Sequence, residues 1–114
     1  ADLVNESKRK ESIFVKQLSR IQKNYPSVAA LSLGRGMLFA LFITNPKSDS
    51  SLPLMERLDS ELTDKIVEKA MQKGVFLIRT GCGTLKFGPP LTIPDKALEE
   101  ALTVVEETIK EVHP

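Results

Sequence analysis

The segment from Gly74 to Ile93 constrains the fold more than any other part of this sequence. Leu58, Leu62, Ile66 and Ala70 recur at helical spacing before it, and Gly74 is placed to end that helix in a left-handed conformation. Val75-Phe76-Leu77-Ile78-Arg79 follows at once and reads as a short apolar strand. Thr80-Gly81-Cys82-Gly83 has the small residues of a tight reversal, so residues 75–79 and 84–87 are expected to pair as a hairpin. Lys86-Phe87-Gly88-Pro89-Pro90-Leu91-Thr92-Ile93-Pro94 then closes the unit. Its diproline fixes two φ angles and removes two donors, which stiffens the exit from the strand.

The rest of the chain supplies helices to cover that hairpin. From Leu3 to about Lys23 the positions Phe14, Leu18, Ile21 and Tyr25 form an amphipathic stripe, which Asn24-Tyr25-Pro26 breaks. The run Val28 to Leu33 leads through Gly34-Arg35-Gly36 into Met37 to Thr44, which is apolar at alternate positions of both parities and predicts a strand covered on both faces. Asn45 to Ser51 is a polar surface loop, and a second helix is predicted from about Leu54 to Lys73. Pro94 and Asp95 open a last helix with Leu98, Ala101, Leu102, Val105, Ile109 and Val112 on one stripe. The order helix, strand, helix, strand, strand, helix predicts an α+β fold. It has a small, mostly antiparallel sheet of three to four strands with helices packed on one face. At 114 residues the chain fits a single domain, residues 1–114.

Composition removes several function classes. Sixteen Lys and Arg against fifteen Asp and Glu leave a formal charge of +1, so no broad field draws the chain to nucleic acid or to an anionic membrane. The longest apolar run, Met37 to Ile43, falls well short of the roughly 20 residues that span a bilayer. One cysteine, Cys82, excludes an internal disulfide framework and a thiol-based zinc site, and a cytoplasmic location is the default. The chain begins at Ala1, which suits a piece of something longer.

Leu33-Gly34-Arg35-Gly36-Met37-Leu38, Gly74-Val75-Phe76-Leu77 and Leu85-Lys86-Phe87-Gly88-Pro89-Pro90-Leu91-Thr92-Ile93 together resemble segments of the C-terminal small domain of class III, fold type I pyridoxal-phosphate aminotransferases. The resemblance implies an enzyme that moves an amino group from an amino donor to a keto or aldehyde acceptor. It implies a large cofactor-binding domain elsewhere in the same polypeptide, a homodimer, and small-molecule donor and acceptor as partners. In that family the arginine three residues before the diproline commonly holds a substrate carboxylate through its planar fork, and Lys86 stands at that position here. Lys86 is therefore the candidate substrate-binding residue, facing a hollow, with Gly34, Arg35, Gly36, Pro89 and Pro90 shaping its mouth. Leu33 and Phe42 stand where the family usually has an arginine and often has an acid. No catalytic, cofactor-binding or metal-binding residue is expected in this segment, because the resemblance puts the Schiff-base lysine and the phosphate cup in the large domain. The competing reading is a non-catalytic ferredoxin-like α+β interaction or regulatory module.

Other candidates have simpler explanations. Gly34-Arg35-Gly36 precedes a strand rather than opening a helix, so it lacks the donors of a phosphate loop. Cys82 is a turn residue, and His113 lies beside the C-terminal Pro114. Lys8-Arg9-Lys10 is balanced by Glu6 and Glu11 and reads as a solvated helix face. The chain by itself is expected to neither hold the cofactor nor turn over substrate. A saturable visible absorption band on mixing it with pyridoxal phosphate would show this to be wrong.

Overall fold

A computed structural model describes residues 3–35, 38–88 and 93–112. Their elements are α1 (Leu3–Asn24), β1 (Ala29–Arg35), β2 (Leu38–Ile43), α2 (Leu54–Arg57), α3 (Ser60–Gln72), β3 (Ile78–Thr80), β4 (Thr84–Phe87) and α4 (Asp95–Val112). The four strands form one antiparallel sheet in the order β1-β2-β4-β3. This is the α+β, helices-on-a-small-sheet fold that the pattern predicts. Phe14, Leu18 and Ile21 of α1, Ile66 and Ala70 of α3, and Leu98, Leu102, Val105 and Ile109 of α4 pack into one core with Leu41, Ile43 and Leu85 of the sheet.

Three elements differ from their sequence expectations, each for a local reason. Residues 29–35 form a strand, β1, paired to β2 as a hairpin, where the pattern had assigned one strand. The turn at Pro26 sets it up: Tyr25 O accepts from Val28 N at 3.1 Å and from Ala29 N at 2.8 Å, which reverses the chain into the sheet. The predicted second helix is split into α2 and α3. Leu58 is extended, and Asp59 caps α3 by accepting from Leu62 N at 3.0 Å. Leu58 instead bridges Thr44, so its place on the apolar stripe reflects contact with the sheet and not helix. Finally, β2 is covered on one side only: Leu41 and Ile43 are buried under the helices, whereas Ala40 and Phe42 are half-buried.

Two glycines hold the joints. Gly74, at φ +90°, ends α3 as predicted, with Val75 N donating to Ala70 O and Gly74 N to Met71 O in a Schellman arrangement. Gly83 lies where the end of β2, the cap of α3 and the start of β4 converge, and its carbonyl accepts from Ile43 N at 2.8 Å. A Cβ there would stand 2.9 Å from Leu58 Cβ and 3.0 Å from both Asp59 N and Ile43 O. The loop 45–53 leaves and re-enters at one point, since Asn45 N donates to Arg57 O at 2.9 Å beside the Thr44–Leu58 bridge.

Ion pairs seat α4 on both flanks. Arg20 of α1 pairs with Glu106, and Lys73 at the end of α3 bonds Glu111 at 2.6 Å. That hydrogen bond holds the Glu111 carboxyl below the usual carboxylate range. Such exposed pairs contribute little beside the buried apolar stripes. Because backbone atoms crowd Gly83, Gly83→Ala is expected to destabilise the chain by about 1–3 kcal/mol in a urea titration.

Candidate functional site

Lys86 occupies the third position of β4, between Leu85, which is buried under the helices, and Phe87, whose ring meets Phe14 of α1 edge-on at 5.7 Å. Strand alternation therefore turns Lys86 to the opposite face of the sheet, and it is exposed there. Its cross-strand neighbours are Ala40 on β2 and Ile78 on β3; the next row along holds Phe42, Thr84 and Thr80. Phe76 and Ile78 are 77% and 65% exposed, in alternation with buried Val75 and Leu77. Lys86 makes no ion pair among the described residues. The result is a lone ammonium on an apolar and hydroxyl-bearing surface.

The sheet brings several of the predicted residues to one end. Gly34 pairs with Phe39 and Arg35 with Leu38, while Phe39 also pairs with Phe87, so the end of β1 and the end of β4 share a boundary of the sheet. Leu33, Ala40, Lys86 and Ile78 make one continuous cross-strand row. The sequence positions that depart from the family pattern, Leu33, Phe42 and Lys86, thus fall in adjacent rows. Gly36, Pro89 and Pro90, and likewise His113, lie outside the described residues.

Lys86 lines none of the best-formed hollows among the described residues. The groove nearest the end of β4, about 540 Å³, lies on the helix side between Phe76, Phe87, Ile93 and Val104. Arg79, on the neighbouring strand, does not replace a missing fork. It pairs with Leu85 in the register, bonds Asp64 of α3 and donates to Gly81 O at 2.6 Å. The described residues also do not fit a pyridoxal cofactor: the buried Lys10 donates to Ile93 O, and Lys86 stands on an open surface with no acidic partner. Among the described residues no cluster of His, Cys, Asp or Glu has the arrangement of a metal site.

Sequence reasoning missed the burial of Lys10 and the exposed side chains of Phe76 and Ile78. The in-out alternation from Val75 to Ile78 was the signal that would have found the latter two. The Met37 and Phe39 side chains, which with Phe42 were expected to face the large domain, lie outside the described residues.

The class-III aminotransferase family matches residues 1–109, and the chain belongs to that family. It is 27% identical over 105 residues to the mitochondrial acetylornithine aminotransferase of Saccharomyces cerevisiae, covering 92% of this chain and 21% of that protein. A Bacillus anthracis aminotransferase shares the fold with a TM-score of 0.83 at 20% identity, over 97% of this chain and 25% of that one. An Arthrobacter phospholyase in complex with phosphoethanolamine shares it at 0.80 and 23% identity, over 94% and 24%. The chain spans about a fifth of the length of the curated relatives it matches. No helix among the described residues is long and apolar enough to cross a membrane.

An uncovered apolar surface of this kind promotes association. The chain by itself is expected to sediment as dimers or larger species, and the double variant Phe76→Ser, Ile78→Ser to shift it toward monomer. A wild-type chain that stays monomeric at high concentration would contradict this.

Proposed function

We propose that residues 1–109 and their short tail form the C-terminal small domain of a pyridoxal-phosphate-dependent aminotransferase, in which Lys86 binds a substrate carboxylate. The observation that carries this reading is the lone Lys86 ammonium on an apolar sheet face. A point charge on an open surface is weak. At 4 Å it attracts a carboxylate by about 1 kcal/mol in water, against about 4 kcal/mol where the surroundings behave as a protein surface of lower dielectric. Lys86 becomes an effective anchor only when further polypeptide walls off this face, and the large domain of the same polypeptide is the proposed wall.

In this reading the large domain supplies the pyridoxal phosphate, with its lysine and phosphate cup, and the cofactor's aldehyde carries the amino group between donor and acceptor. Lys86 orients the substrate, and Gly34, Arg35, Gly36, Pro89 and Pro90 border the entrance. A lysine lacks the two parallel donors of an arginine fork, so orientation depends more on the apolar neighbours Ala40, Phe42 and Ile78. The whole protein is proposed to work as a homodimer on small molecules, with no nucleic-acid or membrane partner, and this segment to be inactive by itself. The single thiol suits a reducing compartment, and a cytoplasmic location is proposed, although the yeast relative is named as mitochondrial.

The competing ferredoxin-like module loses its structural basis. That motif alternates β-α-β-β-α-β, whereas β1 and β2 here join directly as a hairpin.

The test is amino transfer by the complete polypeptide, beginning with acetylornithine, for which the yeast relative is named. Lys86→Ala is expected to raise KM for a carboxylate-bearing substrate roughly tenfold, in line with the loss of one charge-assisted contact, and Lys86→Arg to lower it. Absence of transfer, or a KM indifferent to residue 86, would remove this assignment.

A further inference from the structure

The buried stripe of α1 is headed by a lysine. Phe14, Leu18 and Ile21 are buried on one side of that helix, and one turn before Phe14 the same side carries Lys10, which is only 3% exposed. Its Nζ donates to the Ile93 carbonyl at 2.5 Å, with a Glu6 carboxylate oxygen 3.8 Å away. Burying an ammonium is costly unless it is paired, so these partners offset a desolvation that an exposed lysine never incurs. The adjacent Arg9 pairs with Glu6 at 2.6 Å and reaches across to Asp95.

Ile93 and Asp95 stand on either side of Pro94, where α4 begins. The contrast with α3 is instructive, because α3 opens on Asp59, whose carboxylate accepts from Leu62 N at 3.0 Å. In the corresponding place before α4 stands Pro94, whose ring has no acceptor to offer. The bond from Leu98 N to Pro94 O, at 3.0 Å, therefore starts the helix without a side-chain cap of that kind. Instead, two cations of α1 grip the residues that flank the Pro94 carbonyl.

We propose that Lys10 and Arg9 form a latch that does the work of the absent cap: they hold the first turns of α4 on α1, and when the latch releases, residues 93–101 open together while α3 and the later turns of α4 stay folded. The proposal stands on contacts between α1 and the start of α4 and does not depend on the aminotransferase reading. Its two halves are unequal. The side chains of Arg9 and Asp95 are 46% and 41% exposed, so solvent screens their pair and it shifts the opening equilibrium by about threefold at most. The buried Lys10 contact, from a charged donor, shifts it roughly tenfold.

Hydrogen exchange in the complete polypeptide reads the latch at the amides of residues 98–101, whose helical bonds close the first turns of α4. Lys10→Met keeps the aliphatic stem and removes the donor. It is expected to speed these amides roughly tenfold while those of α3 and of residues 106–112 keep their rates. Arg9→Gln should speed the same amides by no more than about threefold. A further measurement needs no variant, since one opening event uncovers both the Lys10 amine and the first-turn amides. In urea below the unfolding transition, reductive methylation of Lys10 and exchange at residues 98–101 should rise in step, ahead of exchange in α3.

Unchanged exchange at residues 98–101 in Lys10→Met overturns the latch. So does an equal acceleration in α3 and residues 106–112, which would make Lys10 one more member of the common core. If Lys10→Met fails to fold, the methylation experiment decides: Lys10 labelling that rises only with global unfolding overturns the proposal.

Discussion

A sheet with one buried face governs this structure. The strands present Leu41, Ile43 and Leu85 to the helices, and α1, α3 and α4 together bury that face. Each helix is long enough to lay a full apolar stripe across the layer, so the core closes without help from the far side of the sheet. The far side is left with side chains that contribute nothing to the core, and there the chain carries Lys86 and Ile78. Stability and candidate chemistry are divided between the two faces of the same four strands.

Much of this division was legible in the residues. Helical spacing placed Phe14, Leu18 and Ile21 and the stripe of α4 correctly because each apolar position in those helices meets the same layer. Gly74 was legible as a helix stop because a positive φ has few other occupants. Leu58 misled because a residue bridging the sheet and a residue on a helix stripe carry the same apolar side chain; Asp59, a good N-cap, was the competing signal. The β1–β2 pairing was obscured because Gly34-Arg35-Gly36 reads as a break between two apolar runs, whereas Gly34 and Arg35 belong to the strand and pair with Phe39 and Leu38.

The candidate site was legible only in part. Lys86 could be found by its distance from the diproline, and its outward direction followed from alternation with Leu85 and Phe87. Lys10 could not be found in that way. Nothing in Glu6 to Glu11 distinguishes a lysine that reaches solvent from one that reaches a carbonyl far along the chain, because that distinction is made by α4 docking on α1. Solved structures with the same fold include proteins described as transaminases and one described as a phospholyase.

The pinned neck of the loop at residues 45–53 has an engineering consequence. The Thr44–Leu58 bridge and the Asn45–Arg57 hydrogen bond bring the two strands of the loop together independently of what lies between them. Lengthening a flexible span whose ends are already joined adds only about 0.6 kcal/mol of closure entropy per doubling. An epitope or dye-binding peptide grafted between Lys47 and Ser51 would thus ride on the molecule as a handle, far from the Lys86 end of β4 along the strands and without a register change in the sheet.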